Sequence, residues 1–184
     1  MITTALRILL VEDNEADILI TSRTIGKIVE QPHIEVAETL EEVRYQMVNF
    51  IPDVVISDYN LPACNGLEVL ELVQKFDKSV PFIFLTGTVN DEELAANTIL
   101  AGAWGYVLKK HMDVLEEKLR PLLKKVVFHL NSRDEVRERL RKNKMAINQI
   151  YDYLDHLRSD NKEQKDNIGK IKDTLQRFKM DEDD

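Results

Sequence analysis

Four short runs of consecutive apolar residues punctuate the first 111 positions: Ile8-Leu9-Leu10-Val11, Val54-Val55-Ile56, Phe82-Ile83-Phe84-Leu85 and Tyr106-Val107-Leu108. A weaker fifth lies between His33 and Ala37. Continuous rather than alternating apolar runs of this length predict strands covered on both faces, as in a parallel sheet. Helix signals fall between them. Thr39 with Glu42, Asn65 with Glu68, and Asn90 with Glu93 each place a capping side chain three residues ahead of an acid. Strand and helix therefore alternate five times, which predicts an open α/β sheet covered by helices. In such sheets, sites form at the carboxyl ends of the strands.

After Lys110 the texture changes. Asp113 with Glu116 opens another helix, and no strand-like run follows. From Met112 onward, apolar residues recur at alternating steps of three and four. The series runs through Leu115, Leu119, Leu122, Val126, His129, Arg133, Val136, Leu140, Asn143, Ile147 and Ile150, then Leu154, Leu157, Asn161, Gln164, Ile168, Ile171, Leu175 and Phe178. An unbroken phase of this kind predicts one long helix and a coiled-coil seam, reaching about 100 Å. The division expected is a first domain over 1–130 and a helical extension over 131–184 that continues the last helix of that domain. Asn161 at an a position favours a parallel two-stranded pair in register, and hence a homodimer. His129 and Arg133 would face their own copies across the axis and weaken that stretch. Pro121 should bend the helix near its start. A helical hairpin folding back near Ser159-Asp160-Asn161 is the competing arrangement.

Charge changes this picture little but excludes some functions. The 184 residues carry a formal net charge of −8. Residues 1–111 hold 8 Lys/Arg against 17 Asp/Glu, and residues 112–184 hold 17 against 16. The acidic half is a poor nucleic-acid surface. In the basic run from Arg137 to Lys144, acid interleaves at Glu138 and no aromatics do, so a solvated helix face is expected there. The lone Cys64 has no intrachain partner, and with Trp104 it is read as structural. Arg7, Glu12 and Asp13 interrupt any signal-like apolar run, and no stretch approaches the roughly 20 apolar residues of a membrane span. A cytoplasmic protein with no membrane contact is the expectation. His156, at an outward position of the tail, is not expected to be a phosphorylated histidine, since no nucleotide-binding domain follows it.

The chemistry sits at four strand ends, which carry Glu12 and Asp13, then Asp58, then Thr86, then Lys109. In a parallel sheet these gather at one edge. Three acids around one spot repel each other unless a cation joins them, and a hard cation such as Mg²⁺ takes one or two carboxylates, a carbonyl and waters. A lysine beside such acids is held charged and aimed inward. A threonine hydroxyl at a strand end can bind a phosphoryl oxygen. Nucleophile, metal, cationic clamp and hydroxyl are the parts a carboxylate needs to attack a phosphoryl group. Each residue also has a plainer role open to it. Asp13 could cap a helix, Asp58 could form a turn before Pro62, Thr86 could merely end a strand, Lys109 could be solvated, and Tyr106 could be a buried strand aromatic.

The segments LLVEDNEAD, VVISDYNLPACNGLEVL, PFIFLTGT and AGAWGYVLKK, in this order and spacing, resemble the receiver domain of two-component response regulators. The resemblance covers Leu6 to about Lys125. It implies a flavodoxin-like, doubly wound five-stranded parallel sheet of order 2-1-3-4-5, followed here by a long C-terminal helix. It implies that Asp58 is the phosphoacceptor, that Glu12, Asp13 and Asp58 hold Mg²⁺, and that Asn60 adds a backbone carbonyl. It further implies that Thr86 binds the phosphoryl group, that Lys109 pairs with it, and that Tyr106 is the aromatic switch position. Pro62 and Gly66 match the loop after the phosphoacceptor. The family often has Asp before the switch aromatic, whereas this chain has Gly105.

The function expected is a response regulator phosphorylated by a histidine kinase or phosphotransfer protein and signalling through a dimeric coiled coil, not a turnover enzyme. Two other readings stay open: a phosphatase of the aspartyl-phosphate type, or a receiver whose output domain lies outside this chain. The phosphatase would need a second Asp two residues past the nucleophile, where Asn60 stands. A flavodoxin-like cofactor binder is disfavoured, because Glu12, Asp13, Glu15 and Asp17 would repel a phosphate in the first loop.

Overall fold

A computed structural model describes residues 1–87, 92–109, 114–131 and 141–150. Five strands, β1 (Leu6–Val11), β2 (Pro32–Ala37), β3 (Val54–Ser57), β4 (Phe82–Thr86) and β5 (Gly105–Leu108), alternate with five helices. These are α1 (Glu15–Ile28), α2 (Leu40–Asn49), α3 (Gly66–Phe76), α4 (Glu92–Leu100) and α5 (Leu115–Asn131). The sheet order is β2-β1-β3-β4-β5. All four pairings are parallel; Ile8, for example, lies between Ile34 and Val54. This is the doubly wound fold expected from the alternating runs.

Successive strand residues point to opposite faces, and both faces are covered. On one side Leu6, Ile8 and Leu10 join Ile56, Ile83, Leu85 and Val107 under α1 and α5. On the other, Leu9, Val11, Val55, Phe82 and Phe84 pack under Val43 and Met47 of α2 and Val69, Leu70 and Val73 of α3. Double coverage explains why β1, β3 and β4 read as continuous apolar runs. β2 is the edge strand and its burial alternates along its length, which explains its weaker signal.

Helix caps follow the sequence in part. Asn65 and Glu68 form a complete capping box at α3. At α2, Thr39 accepts from the Glu42 amide, but the Glu42 carboxylate accepts from the Glu38 amide instead of closing the box. Asn90 lies outside the described residues. α1 is capped by Asn14, whose side chain accepts from the amides of Ala16 and Asp17. Asp13 is therefore not that cap.

The apolar stripe of α5 requires a correction. Leu115, Leu119, Leu123 and Val126 are 0% exposed and Leu130 is 5% exposed, all against the protein's own sheet. Each such burial stabilises by about 1.5–3 kcal/mol, so these residues are not free to line a seam with another chain. His129, expected to meet its own copy, instead sets its ring edge-on to Trp104 at 4.9 Å. A seam with another chain cannot therefore run through Leu115, Leu119 and Val126. The chain divides into two compact units, Met1–Arg133 and Asp134–Asp184. Within the second, residues 141–150 are helical, with Ile147 half-buried and Ile150 exposed. Of the other proposed seam residues, Leu122 is half-buried against the same core and Asn143 is exposed, while Met112, Arg133, Val136, Leu140 and those from Leu154 to Phe178, and also His156, fall outside the described residues.

Gly105 has a packing reason. A Cβ there would come within 2.6 Å of Leu122 Cδ1 on α5. Among the described residues, no helix is long and apolar enough to cross a membrane.

Candidate functional site

The carboxyl ends of β1, β3 and β5 converge on one cation. Lys109 follows β5, and its Nζ donates to Glu12 Oε2 at 2.6 Å, to Asp17 Oδ2 at 2.7 Å and to Asp58 Oδ2 at 2.7 Å. An ammonium has three N–H donors, and each meets a different carboxylate. The cluster is largely buried: side-chain exposure is 11% for Lys109, 1% for Glu12, 10% for Asp58 and 26% for Asp17.

Asp58 is tied down on every side. Its amide donates to the Val11 carbonyl at 2.9 Å, which continues the β1–β3 ladder. The Ser57 hydroxyl donates to its carbonyl at 2.7 Å, and Asn60 N donates to Oδ1 at 3.1 Å. Gly66 opens α3 against its backbone, and the Gly66 amide donates to the Tyr59 carbonyl at 2.8 Å. Glu12 is fixed in turn by its amide bond to the Ala37 carbonyl and by the Asn14 amide, which donates to Oε1 at 3.2 Å.

The other residues singled out in the sequence lie as follows. Asp13 is exposed, two residues past the end of β1 and next to Glu12. Thr86 is fully buried at the end of β4. Tyr106 is half-buried on β5, paired with Phe84 and packed against the core under α2 and α3. Pro62 is exposed in the loop between β3 and α3. Asp17 was not singled out as a site residue. Its signal is faint: it is the third residue of α1, where an acid favours the helix terminus anyway.

Burial alone would push the Lys109 ammonium down, but its bonds to Asp17, Asp58 and Glu12 outweigh this and hold it above the usual lysine range. For Glu12, burial pushes the carboxyl up, and the bonds from Lys109 and the Asn14 amide only partly oppose it. Burial, helped by the charge of Glu68, likewise raises the Cys64 thiol, which makes it a poor nucleophile.

A carboxyl group whose folded value is raised binds a proton more readily in the native state than in the unfolded chain. Its contribution to stability is present at acidic pH and is lost as pH rises through the folded value. Glu12→Gln should therefore be at least as stable as the parent at neutral pH, with its advantage shrinking as pH falls through the carboxylate range. Urea titrations of both proteins across that range check this. An advantage that grows on acidification would refute the direction.

Hard carboxylate oxygens are the donors Mg²⁺ takes, and the excess of acids over bases here suits a divalent cation. In the arrangement described, however, Lys109 stands among them. Among the described residues, no three acidic, histidine or cysteine side chains are spaced to hold a metal ion by themselves. The donor chemistry fits Mg²⁺, and Lys109 now engages Glu12 Oε2 and Asp58 Oδ2.

Comparison with known proteins identifies the family of the fold. The response regulator receiver domain family matches residues 8–120. The chain is 29% identical over 108 residues to the chemotaxis protein CheY of Treponema pallidum, covering 56% of this chain and 72% of that protein. It is 28% identical over 122 residues to the two-component response regulator PhoP of Pseudomonas aeruginosa, covering 65% of this chain and 52% of that one. It thus spans about half the length of that relative. Among solved structures, the chemotaxis response regulator CheY4 of Vibrio cholerae is similar with a TM-score of 0.56 at 26% identity, covering 67% of this chain and 99% of that one. A CheY-like receiver domain protein of Methanospirillum hungatei is similar with a TM-score of 0.53 at 27% identity, covering 66% and 99%.

Proposed function

The chain belongs to the response regulator receiver domain family, and on that premise we propose that Asp58 accepts a phosphoryl group from a histidine kinase or phosphotransfer protein in a Mg²⁺-dependent reaction. The observation that carries this is the setting of Asp58. Its carboxylate is mostly buried at the end of a core strand, fixed at Oδ1 by the Asn60 amide and at Oδ2 by Lys109. One Asp58 oxygen would form the new P–O bond as the P–N bond of a phosphohistidine breaks, and the electron pair would leave with the imidazole nitrogen. Lys109 then follows the negative charge onto the phosphoryl oxygens, and the Thr86 hydroxyl accompanies them. Asp13, Asp58 and the Asn60 carbonyl, with Glu12 alongside, are the groups that would hold Mg²⁺, which supplies charge neutralisation at the transferring phosphoryl group.

The phosphoryl group stays on the protein, so the role is a signal carrier and not a turnover enzyme. Phosphorylation would shift a pre-existing equilibrium between two conformations, with Thr86 and Tyr106 as the moving parts. The acidic surface suits a protein partner in the cytoplasm better than nucleic acid or membrane. The output proposed is a homodimer formed through the heptad-patterned segment beyond residue 131, since α5 itself is committed to the core.

Intact-mass measurement after treatment with a small acyl phosphate and Mg²⁺ tests the acceptor. One phosphoryl group should add to the wild type and none to Asp58→Asn; equal gain in both would overturn the assignment. Light scattering tests the output. The full chain should be dimeric at micromolar concentration, and a version ending near Asn131 should be monomeric. A monomeric full chain would favour the helical hairpin.

A further inference from the structure

Asp17 has no part in the roles proposed so far, yet it makes one of the three bonds that hold Lys109. It lies on α1, 92 residues away in sequence, and reaches the ammonium at 2.7 Å. As the third residue of α1 it would be favourable beside the helix terminus without any such contact. Its Oδ2 nevertheless turns to Lys109, in a setting where its side chain is only 26% exposed.

The three acceptors of Lys109 differ in what phosphorylation does to them. Asp58 Oδ2 now binds the ammonium, so Asp58 cannot offer that oxygen freely to an incoming phosphorus while the bond persists. Glu12 is the acid assigned beside the cation. Asp17 is the one acceptor among the three with no other duty in the reaction. We propose that Asp17 is a positioning residue: it retains the Lys109 ammonium while Asp58 releases it, and so frees the nucleophile and delivers Lys109 to the new phosphoryl oxygens. The inference rests on the phosphoacceptor reading and adds a residue to it.

A simple charge effect has the opposite sign, which makes the idea testable. Removing a negative charge beside the site should ease the approach of an anionic phosphodonor. Losing the anchor should instead slow the step after binding. The experiment follows phosphoryl uptake from a small acyl phosphate at saturating Mg²⁺, varying donor concentration, in wild type, Asp17→Asn, Asp17→Glu and Glu15→Gln. Glu15 is an exposed acid of the same helix turn and serves as the control for charge.

Asp17→Asn should lower the saturated rate by at least about tenfold, the lower end of the worth of one bond to a charged group, without raising the half-saturating donor concentration. Asp17→Glu, which keeps the carboxylate, should recover most of the rate, and Glu15→Gln should leave it unchanged. A saturated rate in Asp17→Asn equal to or above that of wild type overturns the proposal while leaving Asp58 as acceptor. An equal loss in Asp17→Asn and Asp17→Glu overturns it too, by pointing to helix disruption. A wild type that takes up no phosphoryl group overturns the phosphoacceptor reading, and this inference with it.

Discussion

Lys109→Met is expected to cost the fold about 3–5 kcal/mol at neutral pH without divalent cations, the range for removing one partner of a buried ion pair. The magnitude follows from the geometry. Three carboxylates lie within 2.7 Å of one ammonium, and all three lose their cation at once. Glu12, at 1% exposure, cannot turn to water, so its charge is the hardest to leave bare. The raised value of Lys109 sets the sign in the parent. Its stabilisation is fully present below the ordinary lysine value and is lost only as pH rises through the folded one. The variant lacks that contribution throughout the neutral range. Two conditions should restore it: acidification, which neutralises Glu12, the carboxyl that burial already raises, and Mg²⁺, which replaces the missing positive charge. Denaturant titrations with and without Mg²⁺ make the comparison. A variant as stable as the parent in metal-free buffer would mean that the three short bonds do not hold the site together.

Gly66→Ala should cost about 1–3 kcal/mol, the usual penalty of overpacking a close contact, and should disturb the site as well as the fold. An added Cβ would come within 2.6 Å of Phe84 Cε1, 2.8 Å of the Asp58 carbonyl oxygen and 2.9 Å of Tyr59 Cα. Two of these are backbone atoms beside the proposed nucleophile and cannot swing aside. Gly26 is the natural control. It lies within α1, and a Cβ there meets nothing within 4 Å, so Gly26→Ala should instead stabilise by up to about 1 kcal/mol. Chemical denaturation of both variants reads the first effect, and the rate of phosphoryl uptake reads the second. Gly66→Ala matching wild type in both would show that the contact relaxes freely.

Most of the fold was legible because each strand covered on two faces leaves a continuous apolar run. Phe82-Ile83-Phe84-Leu85 is β4 almost residue for residue. β2 was fainter, since an edge strand exposes alternate residues. The α5 stripe misled for a physical reason. Steps of three and four show that a helix has an apolar face, but not whether its own sheet or another chain covers it. Leu115, Leu119 and Val126 fit both, and the sheet covers them. Leu123 and Leu130, off the seam register but buried, mark the difference.

At the site, Glu12, Asp58 and Lys109 could be read because each closes a strand, and parallel strand ends meet at one edge. Asp17 could not, because its contact is with Lys109, 92 residues away, and depends on tertiary placement that no local pattern encodes. Asn14 was missed as the cap of α1 because the acids around it drew the chemical reading. Gly105 looked like a departure from the family pattern; Leu122, seventeen positions on, supplies its reason through packing.

Trapping the phosphorylated residue tests the assignment of Asp58 most directly. Borohydride reduces an acyl phosphate to an alcohol and leaves free carboxylates untouched, so it marks whichever acid carries the group. The protein would be treated with a small acyl phosphate and Mg²⁺, reduced, digested, and mapped by peptide mass. Conversion should appear at Asp58 and at no other acid. Conversion at Glu12, Asp13 or Asp17, with Asp58 intact, would contradict the account.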